Sequence, residues 1–261
     1  MNNAGYRYPF TPYPNAWYFV AETHGMKPGD ERNATICGTV IKFRMRRDGI
    51  VLLGTEMQCH EDDGKLFVLW GKPQSTSIEL PHISEFHDNA WMQPFHLVFR
   101  TRTHVQEVAE NAIDLAHFSR VHDYLADPTL FDFHLDGPRF FVSMQAPRKL
   151  LGVTRHPIMD ITYYGLGVVE STVVTESVTV KVLLTSTPIN EETLEIHQWI
   201  AIKRQGPLRD MVYRFFLPHI IYREFSNDFP IWENKIYRHK APLCTEEKNI
   251  ATIRRWARQF Y

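Results

Sequence analysis

The sequence predicts an α+β protein on three observations. Residues 17–70 are short runs of β-branched and aromatic residues separated by turn residues. Residues 103–124, THVQEVAENAIDLAHFSRVHDY, place Val105, Val108, Ala109, Ala112 and Ala116 at helical spacing, which gives one helix with a buried stripe. Residues 140–204 hold five more runs rich in Val, Ile, Thr and aromatics, punctuated by Pro147, Gly165, Gly167, and Pro188 with Asn190, the pattern of an antiparallel sheet.

In chain order, residues 1–16 form an irregular arm with Pro9, Pro12 and Pro14. Strands are expected at 17–21, 36–45, 50–53 and 66–70, with Arg47-Asp48-Gly49 closing a hairpin. The polar, proline-containing stretch 72–77 marks a boundary between a unit 1–75 and a unit 76–261. A strand over 91–103 leads into the helix, where Thr103 and Gln106 form a capping box. Asp127-Pro128 opens a loop, and the five runs follow at 140–145, 160–167, 168–176, 178–187 and 193–204. A helix over 208–225 carries Met211, Val212, Phe215, Phe216, Ile220 and Ile221, with a kink expected at Pro218. A last helix over 245–258 has Arg254, Arg255 and Arg258 on a solvated face.

The totals exclude some classes. The 261 residues are 44% hydrophobic and 23% charged, and the net charge of −1 argues for neither nucleic acid nor an anionic membrane. Residues 1–18 lack the apolar core of a signal peptide, and no run approaches the ~18 apolar residues of a membrane span. Cys37, Cys59 and Cys244 are scattered, which suits free thiols in a reducing cytoplasm.

The long helix also carries the densest metal-binding pattern. His117 and His122 are five residues apart, about 140° on an ideal helix, so both reach one metal only if the helix ends or bulges between them. Two neutral imidazoles and a distant carboxylate make a facial triad for Fe(II) that leaves positions open for dioxygen. Asp114, three residues before His117, is placed to accept its ring N–H, with Asn111 and Asp123 as weaker outer neighbours. Spacing alone is not specific. His82 and His87 repeat it with Glu79 ahead, and His-x-Asp pairs occur at His60 with Asp62 and at His134 with Asp136.

ENAIDLAHFSRVH (residues 110–122) resembles the mononuclear-iron motif of Rieske non-haem iron oxygenases. NDFPIWENKIY (residues 227–237) and IRRWARQFY (residues 253–261) resemble the ending of the oxygenase components of 3-ketosteroid 9α-hydroxylases. The resemblance implies that Asp228 is the third ligand beside His117 and His122. It also implies that Asp114 bridges the iron histidine to a cluster histidine on a neighbouring subunit, and that the catalytic unit 76–261 is a helix-grip, an antiparallel sheet around a long helix. The opening strands resemble a Rieske β domain, but no Cys-x-His is present, and Cys59 is followed directly by His60. The unit 1–75 is therefore expected to be a truncated, Rieske-like β domain without ligands for a 2Fe–2S cluster, Cys59 and His60 lying on an exposed hairpin.

The function implied is oxygenation, by hydroxylation or desaturation, of a large hydrophobic, sterol-like substrate with O2 at a mononuclear Fe(II). Electrons would come in trans from a cluster-bearing protein, ferredoxin or reductase. Phe140, Phe141, Tyr163, Tyr164, Trp199 and Phe215 could line the pocket or belong to the core. Two alternatives share the fold: a non-catalytic subunit of a hetero-oligomeric Rieske oxygenase, and an iron enzyme whose oxidative cyclisation takes all electrons from the substrate. Relatives of this type assemble as trimers, so a homo- or hetero-oligomer is a further expectation.

Overall fold

The computed structural model describes residues 6–72, 78–150, 152–237 and 248–261. Most of the stretch 72–77, Cys244, and the expected start of the last helix lie outside them.

Six strands precede residue 72: β1 (Ala16–Glu22), β2 (Glu31–Ile36), β3 (Thr39–Arg46), β4 (Gly49–Leu53), β5 (Cys59–Asp62) and β6 (Lys65–Trp70). They form two three-stranded antiparallel sheets, ordered β1-β6-β5 and β2-β3-β4. Phe43, Ile41, Leu66 and Val68 pack between them. The strand expected over 36–45 starts three residues later, as β3, and Ile36 instead ends β2, a strand that was not expected. The chain reverses at Cys37 and Gly38, both with positive φ. The amides of that turn donate to the carbonyls of Pro188 (2.6 Å) and Ile189 (2.9 Å), so contacts distant in sequence place the reversal. Cys59 and His60 lie on the β5–β6 hairpin, with His60 exposed.

The larger sheet has seven strands in the order β7-β15-β14-β13-β12-β9-β8, every neighbouring pair antiparallel. They are β7 (Phe95–Arg102), β8 (Thr129–Asp136), β9 (Arg139–Gln145), β12 (Ile158–Tyr164), β13 (Val168–Val174), β14 (Thr179–Pro188) and β15 (Thr193–Ile202), while β10 (Arg148–Leu150) and β11 (Val153–Arg155) form a separate hairpin. β8 stands where a loop was expected. It is an edge strand with Asp132, His134 and Asp136 exposed, so pairing on one side suffices and the sequence lacks a buried alternation.

The expected long helix is two short ones, α1 (Val105–Asn111) and α2 (Leu115–Val121). Asn111 and Asp114 flank the break, and Asp114 leaves the helical region there at φ −78° and ψ 86°. The capping residue of α1 is His104, not Thr103: its side chain accepts the Gln106 amide proton. Val105 through Glu110 are all buried, because the sheet covers one side of α1 and α5 (Lys248–Ala257) the other. Arg254 of α5 makes a two-bonded ion pair with Glu110, at 2.9 and 2.8 Å, and lies over the Tyr237 ring. It is thus part of the interior, whereas Arg255 and Arg258 remain exposed.

α3 (Pro207–Ser226) runs through Pro218 and is followed by α4 (Phe229–Asn234). The two β regions meet at Gly167, where a Cβ would stand 2.2 Å from the Trp17 carbonyl oxygen, so no larger residue fits without separating them.

Candidate metal centre

His117 lies within α2, and His122 is its C-cap at φ −108° and ψ 17°. The helix therefore ends at the second histidine, and the next residue, Asp123, adopts positive φ, which a short polar side chain tolerates. This departure from helical geometry brings the two rings to 5.0 Å between centroids at 80°, where an unbroken helix would splay them. Asp228 is delivered by the α3–α4 junction, whose Asn227 Nδ2 donates to the carbonyl of Val121 at 3.5 Å. His117, His122 and Asp228 are all buried, and one ligand atom from each lies within 4.8 Å of the others.

The donor set fits a divalent ion. Oδ1 of Asp228 is buried without a hydrogen bond among the described residues, 3.2 Å from Nε2 of His122. Ligand atoms on adjacent corners around an ion bonded at about 2.1 Å stand about 3 Å apart. The outer nitrogens are also placed. Nδ1 of His117 meets the backbone carbonyl of Asp114. A carbonyl can only accept, so the ring proton sits on Nδ1 and leaves the Nε2 lone pair for a metal. Burial lowers the pKa of His117 below the ordinary imidazole value, against the opposing pull of that carbonyl and of Asp228. A neutral ring is what a ligand requires. Nδ1 of His122 stands 3.8 Å from Glu224, which also pairs with Arg148.

The structure brings His117, His122 and Asp228 together. Asp114 reaches His117 through its main chain rather than its carboxylate, which stays partly exposed. Asn111 proves to be a direct neighbour: its Nδ2 donates to Oδ2 of Asp228 at 3.0 Å. Glu224 escaped sequence reasoning, although it precedes Asp228 by four residues and so faces the same side of a helix. The competing histidine pairs lie elsewhere. His82 and His87 meet Asp62 (2.9 Å) and Asp63 (3.1 Å) at the surface, and His134 meets Asp132 rather than Asp136. Of the aromatic residues considered for a pocket, Phe140 and Tyr163 stack at 4.2 Å inside the core and Trp199 is buried, while Phe215 is 66% exposed and lines no interior.

A buried cluster of two histidines and a carboxylate thus stands beside a large antiparallel sheet and a smaller β region. Residues 70–261 match the sequence profile of the 3-Ketosteroid 9alpha-hydroxylase C-terminal domain, and the chain belongs to that family. It is 26% identical, over 226 residues, to a 3-ketosteroid-9-alpha-monooxygenase oxygenase component of Rhodococcus rhodochrous, covering 77% of this chain and 58% of the relative. The chain thus spans little more than half the length of that relative. Cholesterol 7-desaturase nvd of Drosophila melanogaster is 22% identical, with 96% of this chain and 75% of the relative aligned. Among solved structures, dicamba monooxygenase bound to dicamba superimposes with a TM-score of 0.70 at 12% identity, covering 95% of this chain and 97% of the other. A second crystal structure of dicamba monooxygenase contains non-heme iron and superimposes at 0.62, with 11% identity and coverage of 95% and 96%. At such identities these likenesses speak for the fold alone. No helix among the described residues is long and apolar enough to cross a membrane.

Proposed function

We propose that this chain is a non-haem Fe(II) oxygenase that hydroxylates or desaturates a large hydrophobic, sterol-like substrate with O2. The observation that carries the reading is the convergence of His117, His122 and Asp228, with one carboxylate oxygen buried and unbonded. His117 and His122 would bind the ion through Nε2 and Asp228 through Oδ1. Asn111 would hold Oδ2 of Asp228, and the Asp114 carbonyl would fix the tautomer of His117. Bound Fe(II) would supply the site where dioxygen is activated. The sterol reading draws on the names of the steroid monooxygenase and the cholesterol desaturase.

Hydroxylation of a C–H bond by one dioxygen consumes two electrons and two protons beyond the substrate's own, and releases one water. We infer that these electrons arrive from a separate cluster-bearing protein or ferredoxin. Two facts support a donor in trans. Residues 1–75, which we read as a truncated β unit separate from 76–261, lack the Cys-x-His pattern. The alignment to the Drosophila desaturase extends over 345 positions, longer than the 261 residues here, so that relative carries segments without a counterpart in this chain.

The test is anaerobic reconstitution followed by metal and acid-labile sulfide analysis. About one iron per chain and no sulfide is expected, with iron lost in His117→Ala and Asp228→Ala. Turnover of a sterol should then require both O2 and an added cluster-bearing reductant. Iron retained by both variants would overturn the ligand assignment. Turnover without any reductant would overturn the donor in trans and favour a substrate-driven oxidation.

A further inference from the structure

The two histidines of the centre are held from behind in different ways. Nδ1 of His117 meets the Asp114 backbone carbonyl, which no side-chain substitution removes. No such carbonyl bonds Nδ1 of His122 among the described residues; that nitrogen faces Oε2 of Glu224 at 3.8 Å. Nε2 of the same ring faces Oδ1 of Asp228 at 3.2 Å, the side on which an ion would sit. A ring that ligates through Nε2 carries its proton on Nδ1, so that proton points to Glu224. The separation exceeds a direct hydrogen bond and closes with a small rotation of either side chain.

Glu224 is not a loose surface acid. Its Oε1 is in an ion pair with Arg148, and the two side chains are only 28% and 17% exposed. The Arg148 guanidinium lies over the Tyr124 ring, 5.0 Å from its centroid, and a β-bridge joins the two residues. Beside them the Leu125 amide donates to the Pro147 carbonyl at 2.8 Å. Contacts therefore run from His122 to Glu224 on α3, to Arg148 on β10, and back to Tyr124, two residues beyond His122. Arg148 takes one carboxylate oxygen and leaves the other toward the imidazole. Its charge also offsets that of Glu224, so the ring does not face an uncompensated anion.

We propose that Glu224, held by Arg148, is the positioning residue of His122. It accepts the Nδ1 proton and thereby fixes the ring with Nε2 toward the centre, as a carboxylate behind a ligating histidine does. This role rests on the reading of the centre as an iron site. The test is anaerobic titration of the full chain with Fe(II), and with Co(II), whose visible bands report the geometry of its ligands. Glu224→Ala should lower Fe(II) affinity about tenfold to hundredfold and shift the Co(II) bands. Glu224→Gln keeps an acceptor without the charge and should fall between that variant and the parent. Arg148→Lys, which keeps the charge, should bind Fe(II) more tightly than Arg148→Gln. Far-UV circular dichroism checks that the variants fold, and Glu224→Gln carries the test if Glu224→Ala does not. Parent-like affinity and parent-like Co(II) bands in the folded Glu224 variants overturn the role and leave the Arg148 pair as a tie between chain segments. Fe(II) binding that survives His117→Ala and Asp228→Ala overturns the centre itself, and the role of Glu224 with it.

Discussion

Asn111 offers the most direct test of how the metal centre is held. Its side-chain amide donates to Oδ2 of Asp228 at 3.0 Å, across 117 residues of chain, while Oδ1 is left without a hydrogen bond and faces His122. Asp228 is 3% exposed, so its Oδ2 depends on this donor in the folded chain. Asn111→Ala removes a hydrogen bond to a buried carboxylate, worth about 1.5–3 kcal/mol. The carboxylate must then be turned into place as the metal binds. A cost of that size is roughly a tenfold to hundredfold loss of affinity, the range observed when outer partners of metal ligands are removed. The assay is anaerobic titration of metal-free protein with Fe(II) against a coloured chelator. Because Asn111 ends α1 and is only partly buried, the variant should fold. An affinity within about twofold of the parent would refute the reasoning, since that change is worth less than ~0.5 kcal/mol.

Two other expectations concern stability. His104 is enclosed, accepts the Gln106 amide proton at Nδ1, and faces the Thr11 carbonyl through Nε2. Burial pushes its pKa from 6.5 to about 3, against the pull of that carbonyl. Below pH 6.5 the unfolded chain takes up a proton that the native state refuses, so stability falls as pH drops from 6.5 toward about 3, by up to about 1.4 kcal/mol per pH unit. His104→Asn keeps an acceptor at the helix cap and removes the titration. Urea unfolding of the metal-free protein across this window should show a flatter pH dependence, and an unchanged slope would contradict the argument. Gly167→Ala places a Cβ against the Trp17 carbonyl and should lower stability by about 1–3 kcal/mol. In calorimetry that is a fall in Tm of at least about 2 °C, and an unshifted Tm would show that the β regions yield there at no cost.

The sequence carried much of the fold, and its failures have physical causes. The five runs over 140–204 pair as strands β9, β12, β13, β14 and β15, because β-branched residues between turn residues mark a strand locally. β8 and the reversal at Cys37 were invisible. An edge strand needs little burial, and the reversal depends on carbonyls at Pro188 and Ile189. Arg254 was legible as a cation but not as the partner of Glu110, 144 residues away. In α3 the sequence marked apolar positions without showing which face the sheet: of Met211, Val212, Phe215, Phe216, Ile220 and Ile221 only Ile221 packs against it. At the metal centre the ligand types could be read directly, whereas Glu224 and the bond from Asn111 to Asp228 required the fold.

The geometry of the centre depends on where α2 starts and stops. On a continuous helix His117 and His122 would diverge by about 140°. Asp114 stands before α2 at φ −78° and ψ 86°, outside the helical region, and from there presents its carbonyl to the His117 ring. The φ of −108° at His122 turns the second ring toward the first, and Asp123, in the left-handed region directly after it, ends the helix. The three polar residues that read as outer neighbours of the metal thus act in different ways. Asn111 acts through its side chain, Asp114 through its carbonyl, and Asp123 through its backbone conformation. Replacing Asp123 by a β-branched residue should therefore weaken Fe(II) binding in an anaerobic titration, although no hydrogen bond or ion pair among the described residues joins its side chain to a ligand, because such residues adopt positive φ only at high cost.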